Sequence, residues 1–272
     1  MNHTKVRVPD FADKKRRGEK LVMLTAYDAT IARLFDHAGL DALLVGDSLG
    51  TVILGEDTTL TVTLDAVVHH AKAVSRGASR ALIVADMPFL TYQVNADEAV
   101  RNAGRLLQEG GVAAVKLEGG RSIVPTVKRL VEAGIPVMGH LGLLPQSVHA
   151  IGGYRKRPML PTQAEHLIDD AKALEGAGAF AVVLEAIPAD LARKVTEQLA
   201  IPTIGIGAGP HCDGQILVSY DMLGLFDQFI PSFVKQYAHL AETILTATQK
   251  YADDVREGRF PEPAVPAGER RS

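Results

Sequence analysis

The chain has 272 residues, 47% of them apolar and 22% charged, with a net charge of −3, a length and composition suited to one large or two small soluble domains. Mild acidity gives no reason to expect nucleic acid or an anionic membrane as partner, and no apolar run reaches the roughly 20 residues that span a bilayer. A lone cysteine, Cys212, excludes an internal disulfide and fits a reducing cytoplasm, and the absence of tryptophan leaves little for stacking nucleobases.

The N-terminus lacks the apolar core of a secretory signal, and its basic cluster, Lys14 to Arg17, alternates with acids as a solvated helix face would. From residue 21 onward short β-branched runs alternate with helical patterns. The expected strands are Leu21–Ala26, Ala42–Gly46, Ala81–Ala85, Ala113–Leu117, Pro136–Gly139, Phe180–Leu184 and Ile201–Ile206, with a weaker eighth at Ile216–Tyr220. Runs this short and without alternation are buried on both faces, as in a parallel sheet. Helical spacing marks Asp28–His37, Leu64–Arg76, Ala96–Gln108, Val124–Ala133, Gln163–Glu175 and Ala189–Leu199. Seven or eight such β–α units favour an α/β fold, a single (β/α)8 barrel over residues 1–258, rather than an open sheet. Strand one runs into Thr25-Ala26-Tyr27-Asp28, without the glycine fingerprint of an open dinucleotide-binding sheet. Long non-helical excursions at Ser48–Thr63 and Leu141–Pro161 leave the ligand-binding end and read as pocket walls. A long amphipathic helix is expected over Pro231–Glu257, then a flexible, Pro- and charge-rich tail over 259–272.

The chemistry lies at strand ends. Asp47, Asp86 and Glu118 end strands two, three and four, neighbours in a barrel, so their carboxylates can converge. Hard oxygen donors in that number, with no cysteine nearby, suit Mg²⁺ or a similar divalent cation. Taken singly, each acid could instead cap a helix or pair with a lysine. Lys116 shares a strand face with Glu118, where it could hold an anionic substrate or form a structural ion pair. Ser48 offers a hydroxyl or amide to a substrate carboxylate, or caps a turn. Glu185 ends strand six, across the barrel from the acids. There it is a poor fourth ligand but a plausible base, since apolar surroundings push a carboxyl towards neutrality; a buried salt bridge is the rival reading. His140 could hydrogen-bond a substrate oxygen or orient a ligand, or be an ordinary core histidine. The glycine run Gly205-Ile206-Gly207-Ala208-Gly209 is a weak phosphate-site signal, and Cys212 reads as an inert thiol.

Leu24-Thr25-Ala26-Tyr27-Asp28, Val45-Gly46-Asp47-Ser48-Leu49-Gly50, Ala85-Asp86-Met87-Pro88-Phe89, Val115-Lys116-Leu117-Glu118-Gly119-Gly120 and Gly139-His140-Leu141-Gly142-Leu143, with Val183-Leu184-Glu185 and the stretch from Ile201 to Val218, resemble the ketopantoate hydroxymethyltransferases. That resemblance covers about residues 5 to 250 in unbroken order. It implies a TIM barrel of the pyruvate/phosphoenolpyruvate-binding type. It implies transfer of a hydroxymethyl group from 5,10-methylenetetrahydrofolate to 3-methyl-2-oxobutanoate through a Mg²⁺-stabilised enolate, giving ketopantoate for pantothenate and coenzyme A. By motif position Asp47, Asp86 and Glu118 match the family's magnesium site. Asp47, Ser48, Asp86 and Lys116 match its keto-acid contacts, and Glu185 its general base. The resemblance further implies a cytoplasmic homo-oligomer, typically a decamer. Two departures stand out: Tyr154-Arg155-Lys156-Arg157-Pro158 where relatives usually continue Lys-Val-Gln-Gly after the tyrosine, and a C-terminus lacking the usual Glu-Glu-His-Ser-Phe. A carbon–carbon lyase of the isocitrate lyase type is the nearest enzymatic alternative, though it would place a cysteine in a Lys-Lys-Cys-Gly-His loop that this chain lacks. A non-catalytic binding barrel is the other, but it predicts loss of some of these acids.

Overall fold

A computed structural model describes residues 4–153 and 160–262. The altered Tyr154–Pro158 segment lies outside the described residues, as does the expected tail from residue 263 onward. Two compact units are present, Met1–Ser219 and Tyr220–Ser272.

The first unit is a closed barrel of eight parallel strands in chain order: β1 (Leu21–Thr25), β2 (Ala42–Val45), β3 (Leu82–Asp86), β4 (Ala114–Glu118), β5 (Val137–Gly142), β6 (Ala181–Glu185), β7 (Thr203–Ile206) and β8 (Gly214–Leu217). Side chains alternate along a strand, so one parity faces the barrel axis. Met23, Ala42, Leu44, Leu82, Val84, Ala114, Met138, Ala181, Val183, Ile204 and Ile216 fill it as one buried cluster. The N-terminal helix Val8–Arg17 adds Phe11, which is fully buried in that cluster and meets Phe180 edge-on at 5.3 Å. Its basic residues are not all solvated as expected. Lys15 Nζ donates to the carbonyls of Thr196 and Ile201 and pairs with Asp213 at 3.0 Å, and Lys14 pairs with the buried Asp41.

Helices Ala29–His37, Leu64–Gly77, Ala96–Gln108, Val124–Glu132, Pro161–Gly176 and Ala189–Gln198 carry the chain between strands close to the expected bounds. Between β7 and β8 there is none; the glycine run makes a tight loop, with Gly207 and Gly209 at positive φ and Gly209 backed against Ala189. That packing accounts for the glycines without a phosphate. Expected strand bounds shift, most at β8 and β5. β8 begins at Gly214, before the apolar run, because Gly214 pairs with Leu21 and Ile204. β5 extends through His140 to Gly142, since its pairing with β6 continues to Glu185. The two excursions are not wholly irregular: they hold short helical turns at Leu49–Val52, Thr59–Thr61, Pro145–Ser147 and Val148–Ile151.

The second unit contains the helix Leu240–Arg256, not the Pro231–Glu257 helix expected. Backbone N–H groups of Tyr237, Leu240 and Ala241 donate to the carbonyls of Met222, Leu223 and Gly224. Those bonds hold residues 231–239 as a return loop and leave the helix to start at Leu240.

Candidate active site

The parity that buries the core also builds the site. Two residues beyond Val84, Ala114, Met138 and Val183, on the same inner face, stand Asp86, Lys116, His140 and Glu185, with Glu118 one further step along β4. Together with Asp47 and Ser48, just past β2, these residues line a cavity of about 110 Å³ at the C-terminal end of the barrel. Sites for drug-sized ligands run to roughly 300–1,000 Å³, so this one suits a small molecule. Thr59 and Pro145, from the two long excursions, form part of its wall, as the sequence led us to expect.

Asp86 joins its neighbours on both sides. Its Oδ2 accepts the Asp47 N–H at 2.9 Å, and its Oδ1 lies 2.8 Å from Lys116 Nζ. His140 Nδ1 stands 3.1 Å from Lys116 Nζ and 3.4 Å from Glu118 Oε1, while its Nε2 is 3.1 Å from Glu185 Oε2. Glu185 therefore rests on a histidine rather than among apolar side chains, and through His140 it reaches the acid cluster it was expected to face across the barrel. Tyr27 Oη holds Ser48 Oγ at 2.8 Å.

Burial makes the charges interact strongly. The Asp47 carboxyl is pushed up to about 8 by desolvation and by the neighbouring Asp86 and Glu118 carboxylates. Burial acts to lower both bases, yet Asp86, Glu118 and Asp47 hold Lys116 above its usual value, and contacts with Glu118 and Glu185 raise His140 to about 9 against Lys116. Glu118, although buried, is held below the usual carboxylate range by His140, Lys116 and the Gln146 N–H.

Two residues not anticipated from sequence complete the arrangement. Gln146 donates its N–H to Glu118 Oε2 at 3.0 Å and its Nε2 to Asp47 Oδ2 at 2.9 Å. Tyr92 Oη, fully buried, lies 2.9 Å from Gln146 Oε1 and accepts the Glu118 N–H at 3.1 Å. Gln146 reaches this position because Gly142, at φ 100°, turns the chain off β5 so tightly that a Cβ there would sit 2.2 Å from the Glu185 carbonyl oxygen. A neutral glutamine in a loop carries no sequence signal of such a role.

The donor set fits a divalent cation. It is all oxygen, Asp86 Oδ1 and Glu118 Oε1 are buried with Lys116 and His140 as their neighbours, and a nearby cation would relieve the carboxylate crowding that raises Asp47. All three acids expected from sequence line the one cavity, although among the described residues no three acid, histidine or cysteine side chains already stand close enough to enclose an ion. Asp47 and Asp86 lie together; Glu118 is committed to Gln146 and His140. Mg²⁺ usually keeps several waters and takes one or two carboxylates, which such a pair provides.

Among solved structures the barrel resembles phosphonopyruvate hydrolase in complex with oxalate and Mg²⁺ (TM-score 0.63, 13% identity, 97% of this chain and 92% of that one). It also resembles 2,3-dimethylmalate lyase, a PEP mutase/isocitrate lyase superfamily member (TM-score 0.61, 19% identity, 95% and 91%). At these identities the likeness establishes the fold alone. In sequence, 259 residues are 56% identical to the 3-methyl-2-oxobutanoate hydroxymethyltransferase of Moorella thermoacetica, covering 95% of this chain and 96% of that protein. The enzyme of the same name from Syntrophus aciditrophicus is 56% identical over 248 residues, 91% of each chain. The ketopantoate hydroxymethyltransferase family model matches residues 5–263, and the chain belongs to that family.

Proposed function

We propose that this protein transfers a hydroxymethyl group from 5,10-methylenetetrahydrofolate to 3-methyl-2-oxobutanoate, forming ketopantoate. The carrying observation is one small cavity lined by Asp47, Asp86, Glu118 and Lys116 together with Glu185, which is held by His140. Asp47 and Asp86 would hold a divalent cation, Mg²⁺ by the chemistry of the donors, with Glu118 behind them. When bound, the cation supplies Lewis acidity to the ketone of the 2-oxo acid and so makes its C3–H bond more acidic.

The remaining work falls to side chains. Lys116, already beside Asp86, offers positive charge to the substrate's anionic oxygens, and Ser48, held by Tyr27, offers a hydroxyl to its carboxylate. Glu185 takes the C3 proton, and His140 fixes the direction of that carboxylate. Overall the C3–H bond gives way to a C3–C bond to the one-carbon unit, water supplies the hydroxyl oxygen, and tetrahydrofolate departs. Burial of the cluster excludes water from the charged pairs and strengthens each of them. The lyase alternative gains nothing from Cys212, which is buried and whose thiol burial pushes up, disfavouring the thiolate.

Exchange of the C3 proton of 3-methyl-2-oxobutanoate with solvent, followed by NMR with and without Mg²⁺, tests substrate, cation and base without the folate. Wild-type protein is expected to exchange it only with the cation. Glu185→Gln should bind the keto acid but exchange it 100-fold or more slowly, on the order of a lost general base. Undiminished exchange in that variant removes Glu185 from the role.

We read the protein as a cytoplasmic homo-oligomer. In support, no described helix is long and apolar enough to cross a membrane, the lone thiol is unpaired, and the helix Leu240–Arg256 keeps an apolar stripe exposed.

A further inference from the structure

Among the described residues one side chain, that of Gln146, donates a hydrogen bond to the Asp47 carboxylate, and it does so on Oδ2, leaving Oδ1 to face the cavity that Asp47 lines. The same glutamine is held at its other polar atoms, its Oε1 also accepting from Gln93 Nε2 at 3.3 Å. Its Nε2 also donates to the Met87 carbonyl at 3.0 Å, just past Asp86, and its Oε1 faces Tyr92 Oη at 2.9 Å. Its main-chain N–H is spent on Glu118 Oε2 at 3.0 Å. Tyr92 in turn takes the Glu118 N–H, so the amide, the phenol and two carboxylates form one closed, buried network. The Met87 carbonyl can only accept, so it fixes the NH₂ end of the amide, and the Tyr92 hydroxyl donates to the oxygen end. We propose that Gln146 is a positioning residue for the reaction: it pins Oδ2 of Asp47 so that Oδ1 is presented to the divalent cation, and its loop holds Glu118 at the same time. This rests on the function proposed above.

Groups behind a metal ligand that fix its orientation typically change cation affinity by 10- to 100-fold when removed. Gln146→Met keeps the length of the side chain and removes both of its polar ends. Gln146→Glu keeps the shape and an acceptor for Tyr92 but sets a carboxylate where Asp47 needs a donor. Mg²⁺ binding by calorimetry on the full-length protein, the melting temperature with chelator, and kcat and KM for the keto acid together give the readout. We expect Gln146→Met to bind Mg²⁺ about tenfold more weakly than wild type. Its KM for the keto acid should rise with kcat falling less, and its cation-free melting temperature should shift little. Gln146→Glu is the second reading should the methionine variant not fold, and the same weakening is expected of it. Wild-type Mg²⁺ affinity and wild-type KM in either folded variant overturn the proposal and leave the function untouched. A lowered melting temperature with unchanged affinity per folded molecule also overturns it, since the role would then be structural. Wild-type protein that binds no Mg²⁺ and exchanges no C3 proton overturns the function itself, and this proposal with it.

Discussion

Asp47 carries the most unusual electrostatics in the barrel, and a pH experiment follows from it. Burial and two adjacent carboxylates raise its folded value to about 8, above the roughly 3.9 of an unfolded chain, and His140 stands at about 9 against roughly 6.5. In both, the folded state holds its proton more tightly than the unfolded state does. The resulting stability is complete below the unfolded values and is lost as pH rises through the folded ones. With chelator present the melting temperature should therefore fall between pH 6.5 and about 9, and Asp47→Asn should lessen the fall. Cation binding should ionise Asp47 and release up to about one proton per site near pH 7, because a ligating carboxylate must be deprotonated. Calorimetry in buffers of different ionisation enthalpy measures that proton; an enthalpy independent of buffer would contradict it. At this scale the sequence was readable where chemistry demands a charged residue at a strand end. Asp47, Asp86, Lys116, Glu118 and Glu185 all line the cavity. It was silent on Gln146 and Tyr92, whose roles come from a loop turn at Gly142 and from burial, neither of which leaves a mark in residue type.

At the scale of elements, the barrel needs a floor as well as a mouth. The helix Val8–Arg17 supplies it, with Phe11 against the inner ends of the strands and Phe180 edge-on beside it. Removing a fully buried aromatic side chain costs about 3–5 kcal/mol, the lost transfer energy plus that of the cavity left behind. Phe11→Ala should accordingly lower the unfolding free energy by that amount, read from denaturant unfolding. The cavity lined by Asp47 and Glu185 is at the opposite end, so the exchange rate per folded molecule should stay near wild type. A loss of exchange without loss of stability would show that the floor tunes the site rather than supports it. Element existence was legible here because eight buried strands each need a β-branched run. Boundaries were less so: β8 opens on Gly214 and Gln215, chosen by pairing to Leu21 and Val22 rather than by hydrophobicity. The loop before Leu240 shows the same limit, since its apolar residues keep helical spacing while its N–H groups are used elsewhere.

At the scale of the whole molecule, the helix Leu240–Arg256 has no buried residue, and Ile244, Leu245, Tyr251 and Val255 are exposed on it, Ile244 seven residues before Tyr251 and Tyr251 four before Val255. A helix of this kind, alone in water, gains little from propensity; its stability comes from packing an apolar face. Phe229, Ile230, Phe233 and Tyr237, from the loop before it, are also exposed. Scattered apolar residues on a surface need no explanation, but several on one helix and the loop before it are what an interaction surface would present. Copies of the same chain are the partner expected of the family resemblance, and closed symmetric assemblies are the usual outcome for soluble homo-oligomers. Ile244→Glu with Leu245→Glu would place two carboxylates in the stripe, where burying a charge without a partner costs several kcal/mol. Sedimentation should then show a smaller species than wild type at equal concentration, with C3 exchange retained per folded chain because none of these residues lines the cavity. A wild-type protein that sediments as a monomer would leave the stripe without the partner argued for it. A double variant that keeps the wild-type assembly would place the subunit interface elsewhere on the molecule.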